Sequence, residues 1–286
     1  MEQIIHLIFL LCGIVAVAFV LLISIYLILS GLPAIRQIGL FQLLLGRVWA
    51  PTNTTTGAQY GILPFILTSV YGTAGAIVIG VPVGLLTAVF LAKVAPPKLA
   101  AVIRTAVQLL AGIPSVVYGL VGMIVLVPAI RTLFHLSSGA CLLAAMIVLA
   151  IMILPSIINV SETALRAVPK EYEEASLALG TTEMETYFRV SLPAARSGVA
   201  TAMVLGVGRA IGEAMAIIMV AGNVSNMPGL FTPVRFLTTG IVSGMAYASV
   251  GSLYQQALYS IGLVLFLFIM LINVFLNVCV KNRKEG

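Results

Sequence analysis

Between two long apolar runs lies the stretch VPKEYEEASLALGTTEMETYFRVSLP, Val168–Pro193, on which the reading of the whole chain turns. Its first half opens like a helix: Pro169 suits a first turn, and Glu171, Glu173 and Glu174 face the positive end of the helix dipole. Ala175, Leu177, Ala178 and Leu179 then give a small apolar face, and Gly180 supplies a left-handed stop. Thr182 with Glu185 three residues on makes a capping box for a second helix, which runs through Tyr187 and Phe188 to Leu192-Pro193. The pattern predicts a helix, a glycine turn and a second helix. An exposed Tyr187–Phe188 pair fits a groove on a partner protein; it fits equally an amphipathic helix resting on lipid. Periodicity alone does not choose between them.

The runs on either side set the fold class. Of 286 residues, 61% are apolar and 8% charged, with 15 Lys+Arg, nine Glu and no Asp. A soluble domain carries about 25% charged residues, so this chain cannot clothe a water-facing surface. A bilayer core of about 30 Å needs roughly 20 apolar residues per helix. Six segments qualify, at 5–30, 63–92, 105–130, 139–160, 194–221 and 255–280. The expectation is an all-α polytopic membrane protein of six transmembrane helices, read as one membrane domain over 1–286 with a cytoplasmic loop at 162–193. The first segment has no basic flank and no A-x-A site, so it reads as a retained helix and not a cleaved signal. With both termini inside, the inner segments hold ten basic residues: Lys93, Lys98, Arg104, Arg166, Lys170, Arg189, Arg196, Lys281, Arg283 and Lys284. The outer segments hold four: Arg36, Arg47, Arg131 and Arg235. The excess obeys the positive-inside rule.

Composition also removes chemistries. Without Asp there is no aspartyl dyad, no Asp–Mg²⁺ site and no Ser–His–Asp triad. His6 and His135 cannot make a multi-histidine metal site, so no metal is expected. No Gly-Lys pair exists for a phosphate-cradling Walker A loop. Cys12, Cys141 and Cys279 lie far apart in apolar runs and read as small buried hydrophobes. No catalytic residue, resident cofactor or nucleic-acid partner is expected.

Two interruptions stand out inside the spans. Arg209 and Glu213 lie in the fifth, in Gly208-Arg209-Ala210-Ile211-Gly212-Glu213. At about 1.5 Å per residue, Arg209 stands about 24 Å above Pro193, at or beyond the bilayer midplane. An arginine there costs about 2.5–3.5 kcal/mol even on a mild scale. Four residues apart on one helix, the two side chains are expected to share a face and pair. Stability is a poor reason for such a pair, since Arg before Glu is the weaker order. It reads either as an anion path, with Arg209 drawing the anion and Glu213 holding the guanidinium, or as a structural ion pair. Gly208 and Gly212 form a G-x-x-x-G expected to admit a neighbouring helix closely. The second interruption, Gly112-Ile113-Pro114-Ser115, breaks the third span and starts a new half-helix with Ser115 and Tyr118 as hydroxyl donors. Pro82 and Pro155 read as simple kinks.

Glu174-Ala175-Ser176, three residues, Gly180, nine residues, then Val190-Ser191-Leu192-Pro193 resembles the E-A-A-x3-G-x9-I-x-L-P loop of ABC importer permeases, departing only at Ser176 and Val190. Together with Ala111–Leu120 and Gly208–Glu213, the chain from about 60 to 281 resembles the permease subunits of the phosphate ABC importer. Leu192–Gly198 and Ala221-Gly222-Asn223 are similar to the PstC type of that family; the short N-terminus without a basic flank departs from it. The resemblance implies a type I importer permease in the cytoplasmic (inner) membrane, forming half of a phosphate path through Arg209, Glu213, Ser115 and Tyr118. It implies coupling to a separate ATPase through Glu174, Ala175, Gly180, Leu192 and Pro193. The implied partners are a second permease subunit, an ATPase dimer carrying ATP and Mg, and an external phosphate-binding protein. Other readings are a permease for sulfate or molybdate, an ion-coupled secondary transporter using Glu213, and, last, an intramembrane hydrolase using Ser115 or Ser243.

Overall fold

The computed structural model describes residues 2–55 and 57–282. Arg283 and Lys284 of the basic tail lie outside the described residues, as do the side chains of Lys281 and Cys279. In chain order come α1 (Glu2–Ile38), α2 (Leu40–Leu45), the strands β1 (Trp49–Ala50) and β2 (Gln59–Tyr60), and α3 (Leu63–Val89), which ends in a π turn at Phe90–Val94. Next are α4 (Pro97–Gly112), α5 (Ser115–Val121), a π turn at Gly122–Leu126, α6 (Val127–Leu133) and α7 (Leu142–Arg166). The loop contains α8 (Lys170–Ala178), α9 (Glu183–Thr186), a π turn at Tyr187–Ser191 and α10 (Leu192–Ala194). The chain finishes with α11 (Arg196–Gly212), α12 (Met215–Val220), α13 (Leu237–Met245) and α14 (Leu253–Asn282). Among the described residues five helical runs are long and apolar enough to cross a bilayer, and Arg196–Gly212 makes a sixth when counted together with the segment Glu183–Ala194 that meets it at a 73° bend. The six-span expectation holds.

Two boundaries differ. The third crossing runs from Ser115 to Leu133, not from 105. Ile113 is extended (ψ 128) ahead of Pro114, so α4 ends before the membrane-length run begins. A residue preceding proline is pushed out of the α region, and here weak helix formers, Gly112 and Ile113, precede it. Pro82 and Pro155 sit inside α3 and α7, which continue through them. The fifth crossing, read as one helix over 194–221, breaks at Glu213, whose backbone is extended (ψ 132).

By internal contacts the chain divides into two compact units, residues 1–63 with 240–268 and residues 64–239 with 269–286. In the first, Ser260 Oγ donates to the Gly31 carbonyl (2.7 Å) and the Tyr26 and Tyr259 hydroxyls meet at 3.0 Å, fastening α1 to α14. Trp49 and Tyr60 pair across the short β1–β2 ribbon with ring centroids 5.8 Å apart.

In the second unit α7 is the axis, with Leu149, Met152, Ile153 and Ile157 all but fully buried. On α3, Gly72, Ala76, Gly80, Gly84 and Ala88 recur every fourth residue, and all are buried. Gly80 and Gly84 lie against Ile153 and Ile157 of α7. In lipid no hydrophobic force drives helices together, so close packing of small residues supplies the attraction. α11 joins the same axis, with Gly206 against Ile157.

Candidate functional site

Both broken spans break beside each other. The half-helix after Pro114 (α5) packs on the half-helix after Glu213 (α12), and Gly119 is the contact: a Cβ there would sit 2.8 Å from the Ala216 Cα and 2.9 Å from the Met219 Sδ. Arg209, half-buried, occupies the last turn of α11 just before the second break. Helix C-termini favour cations, which offsets part of its desolvation cost.

The expected Arg209–Glu213 pair does not form. Glu213 lies past the helix end, so the four-residue spacing no longer sets the two side chains on one face. The Glu213 carboxylate instead accepts from the Ala216 N–H (3.0 Å), capping α12, and the Glu213 carbonyl accepts from the Thr238 hydroxyl (2.7 Å). Among the described residues, Arg209 has no ion-pair partner. Tyr118 is also occupied: its hydroxyl donates to the Leu110 carbonyl (2.7 Å), bracing α4 across the Pro114 break, while Ser115 opens α5 half-buried. Nor does Gly208-x3-Gly212 pack against another helix among the described residues, where a Cβ at either glycine would meet nothing within 4 Å. A cavity of about 460 Å³ lies nearby, lined by Leu110, Ile113, Val117, Tyr118, Val125 and Ile151 among others. It is apolar and does not include Arg209, so it is no place for an anion.

The loop between α7 and α11 is built as its sequence indicates. α8 starts after Pro169, Gly180 is left-handed (φ 87), and both halves of the Thr182–Glu185 capping box form. The helical segment Glu183–Ala194 then meets α11 at 73°. Glu174, Ala175, Gly180 and Pro193 are exposed, and Leu192 packs inward against the cluster around Ala88 and Val199. Leu179 (87% exposed) and Met184 (54%) extend the outer face. The aromatic pair divides. Phe188 points outward, whereas Tyr187 packs inward. Burial first, then the charges of Glu183 and Glu173, push the Tyr187 hydroxyl above its ordinary 10.0, so it stays a neutral donor at physiological pH. Ser176, the departure from the E-A-A motif, is buried, and its hydroxyl joins Thr181 (2.8 Å) and Thr186 (3.0 Å) in a closed triangle across the glycine turn.

Sequence reasoning missed two carboxylates. Glu162 (5% exposed) binds Arg104 of α4 at 2.7 Å and Arg166 of α7 at 2.9 Å. Glu173 binds Lys93 at 2.5 Å and accepts from Ser191 at 2.7 Å. Only the i,i+4 spacing of Glu162 and Arg166 was visible in advance.

The described residues thus hold membrane-length helices, two of them broken at adjoining points, and a helical knob between spans four and five. Comparison with known proteins agrees: residues 80–282 match the family described as binding-protein-dependent transport system inner membrane component, and the chain belongs to that family. It is 39% identical over 269 residues to the probable ABC transporter permease protein YqgH of Bacillus subtilis, covering 92% of this chain and 86% of the relative. It is 37% identical over 300 residues to the phosphate transport system permease protein PstC of Xylella fastidiosa, covering 95% and 90%. Among solved structures, a chain of a bacterial alginate ABC transporter aligns over 97% of this chain and 96% of its own, with a TM-score of 0.67 at 17% identity. An inward-facing MetNI methionine ABC transporter aligns over 78% and 94%, with a TM-score of 0.57 at 22% identity. These likenesses carry the fold: a multi-pass, type I importer permease.

Proposed function

We propose that this chain is the permease subunit of an ATP-driven phosphate importer and forms half of its translocation path. The observation that carries the path is Arg209: a guanidinium at membrane depth, beside two helix breaks, without a carboxylate partner among the described residues. The PstC relatives, named as phosphate transport permeases, support phosphate as the anion. Both termini lie inside in this reading, and the two compact units work as one permease domain with α8 and α9 as its coupling helices. The exposed face of Glu174, Ala175, Leu179, Met184 and Phe188 docks on a separate ATPase subunit. The exposed acids Glu171, Glu174, Glu183 and Glu185 make that face a poor match for an anionic lipid surface, which favours a protein groove. ATP and Mg belong to that partner, a second permease completes the path, and an external binding protein delivers phosphate.

A proton-carrying role for Glu213 fits less well, because its carboxylate is held by the Ala216 N–H as a helix cap. The test is ATP-dependent uptake in proteoliposomes containing this chain, the second permease, the ATPase and the binding protein. Labelled phosphate should enter only with ATP and only with the binding protein present. Uptake that follows a proton gradient without ATP would sink the reading, and preferential uptake of sulfate or molybdate would change the anion.

A further inference from the structure

One oxygen joins three parts of the permease. Glu173 Oε1 takes the Lys93 ammonium at 2.5 Å and the Ser191 hydroxyl at 2.7 Å. Lys93 sits in the π turn Phe90–Val94 that ends the second span, Glu173 projects from α8, and Ser191 closes the π turn Tyr187–Ser191 that leads into α11 and Arg209. The Lys93 and Glu173 side chains are 11% and 17% exposed, so solvent screens the contact little. Arg166 Nη2 takes the Leu91 carbonyl at 2.9 Å, steadying the same π turn from α7.

Stability alone is a weak reason for such a clasp. A buried ion pair is commonly matched or bettered by apolar residues of similar volume. Leu85, Ala88, Val168 and Leu192 already make an apolar cluster at this end of the bundle. What an ion pair adds is a directional tie between elements that would otherwise slide over one another. Its two outer ends lie in π turns, irregularities that collect at functional positions in helices.

We infer that the Lys93–Glu173–Ser191 clasp is the joint through which displacement of the coupling helix reaches the second and fifth spans, with Glu173 its positioning residue. The inference rests on the reading of α8 and α9 as coupling helices. A pull on α8 draws at once on the ends of α3 and α11, so both spans move as one body with the loop. Without the clasp, α8 follows the ATPase while the spans lag.

The experiment compares wild type, Lys93→Met, Glu173→Gln and the exchange Lys93→Glu/Glu173→Lys in the assembled complex in proteoliposomes. The readouts are ATP hydrolysed per phosphate imported and the stimulation of ATPase activity by the loaded binding protein. Each single variant should raise the ATP-to-phosphate ratio about fivefold or more and lose most of the stimulation. The exchange should bring the ratio back to within about twofold of wild type. Single variants with the wild-type ratio and full stimulation would overturn the inference, as would an exchange that restores assembly but not the ratio. If the single variants fail to assemble, Ser191→Ala, which removes one hydroxyl, decides: an unchanged ratio overturns the inference and a raised one supports it. If the wild-type complex hydrolyses ATP in response to binding protein yet imports no phosphate, the proposed function fails, and the stimulation readout still judges the clasp.

Discussion

Charge is handled in opposite ways at the two ends of α11. At the approach to its N-terminus, carboxylates are saturated: Glu162 holds two arginines and Glu173 holds a lysine and a hydroxyl. At its other end Arg209, in the last helical turn, has no carboxylate partner among the described residues. Glu213, the nearest candidate in sequence, caps the following half-helix instead. Where a charge is fully matched inside the chain, it ties helices together. Where one is kept at membrane depth and left unmatched, something other than folding retains it.

That contrast is easiest to break at Arg209. Arg209→Ala should lower phosphate uptake by the assembled complex about 100-fold, the loss expected when one partner of a desolvated charged contact is removed, without lowering the thermal stability of the complex. Uptake at the wild-type rate would make Arg209 a structural residue after all.

Glu162→Ala should do the reverse, costing stability before function. Glu162 is nearly fully buried, but Arg104 and Arg166 are 35% and 48% exposed, so solvent screens part of the penalty and about 2 kcal/mol is expected. Denaturant titration of the purified chain in detergent measures it. Gly119→Val tests the meeting of the two breaks: overpacking against Ala216 and Met219 should cost about 1–2 kcal/mol. Gly208→Val on the open face should leave the stability of the isolated chain unchanged. The smallest loss belongs to the loop. Ser176→Ala should cost about 0.5–1 kcal/mol, because Thr181 and Thr186 remain bonded to each other at 2.9 Å. A larger loss would mean the hydroxyl triangle holds the glycine turn more firmly than its geometry indicates.

The local signals in the sequence proved sound where each needs only its neighbours. Gly180 in the left-handed region, the Thr182–Glu185 box and the helix end before Pro114 all follow from sterics within a few residues. Long-range meaning was harder to read. Gly208-x3-Gly212 has the form of a packing motif and packs against nothing among the described residues, whereas the stripe from Gly72 to Ala88 passed unnoticed and does the packing. The spacing is the same in both, and only the position of α7 distinguishes them. The Arg209–Glu213 pair failed for a related reason, since four-residue spacing implies a shared face only while the helix continues.

Sequence by itself determined that this chain lives in a membrane, how many times it crosses, and that it carries a helix–glycine–helix knob. Those properties depend on apolar run length, charge scarcity and local backbone sterics, each confined to a window of about 20 residues. The tertiary structure decided which charges are spoken for. Arg104 meets Glu162 across 58 positions, and Lys93 meets Glu173 across the third and fourth spans and their loops. Such partners are chosen by how helices pack, and packing in lipid follows the fit of small residues between helices, which no local window contains.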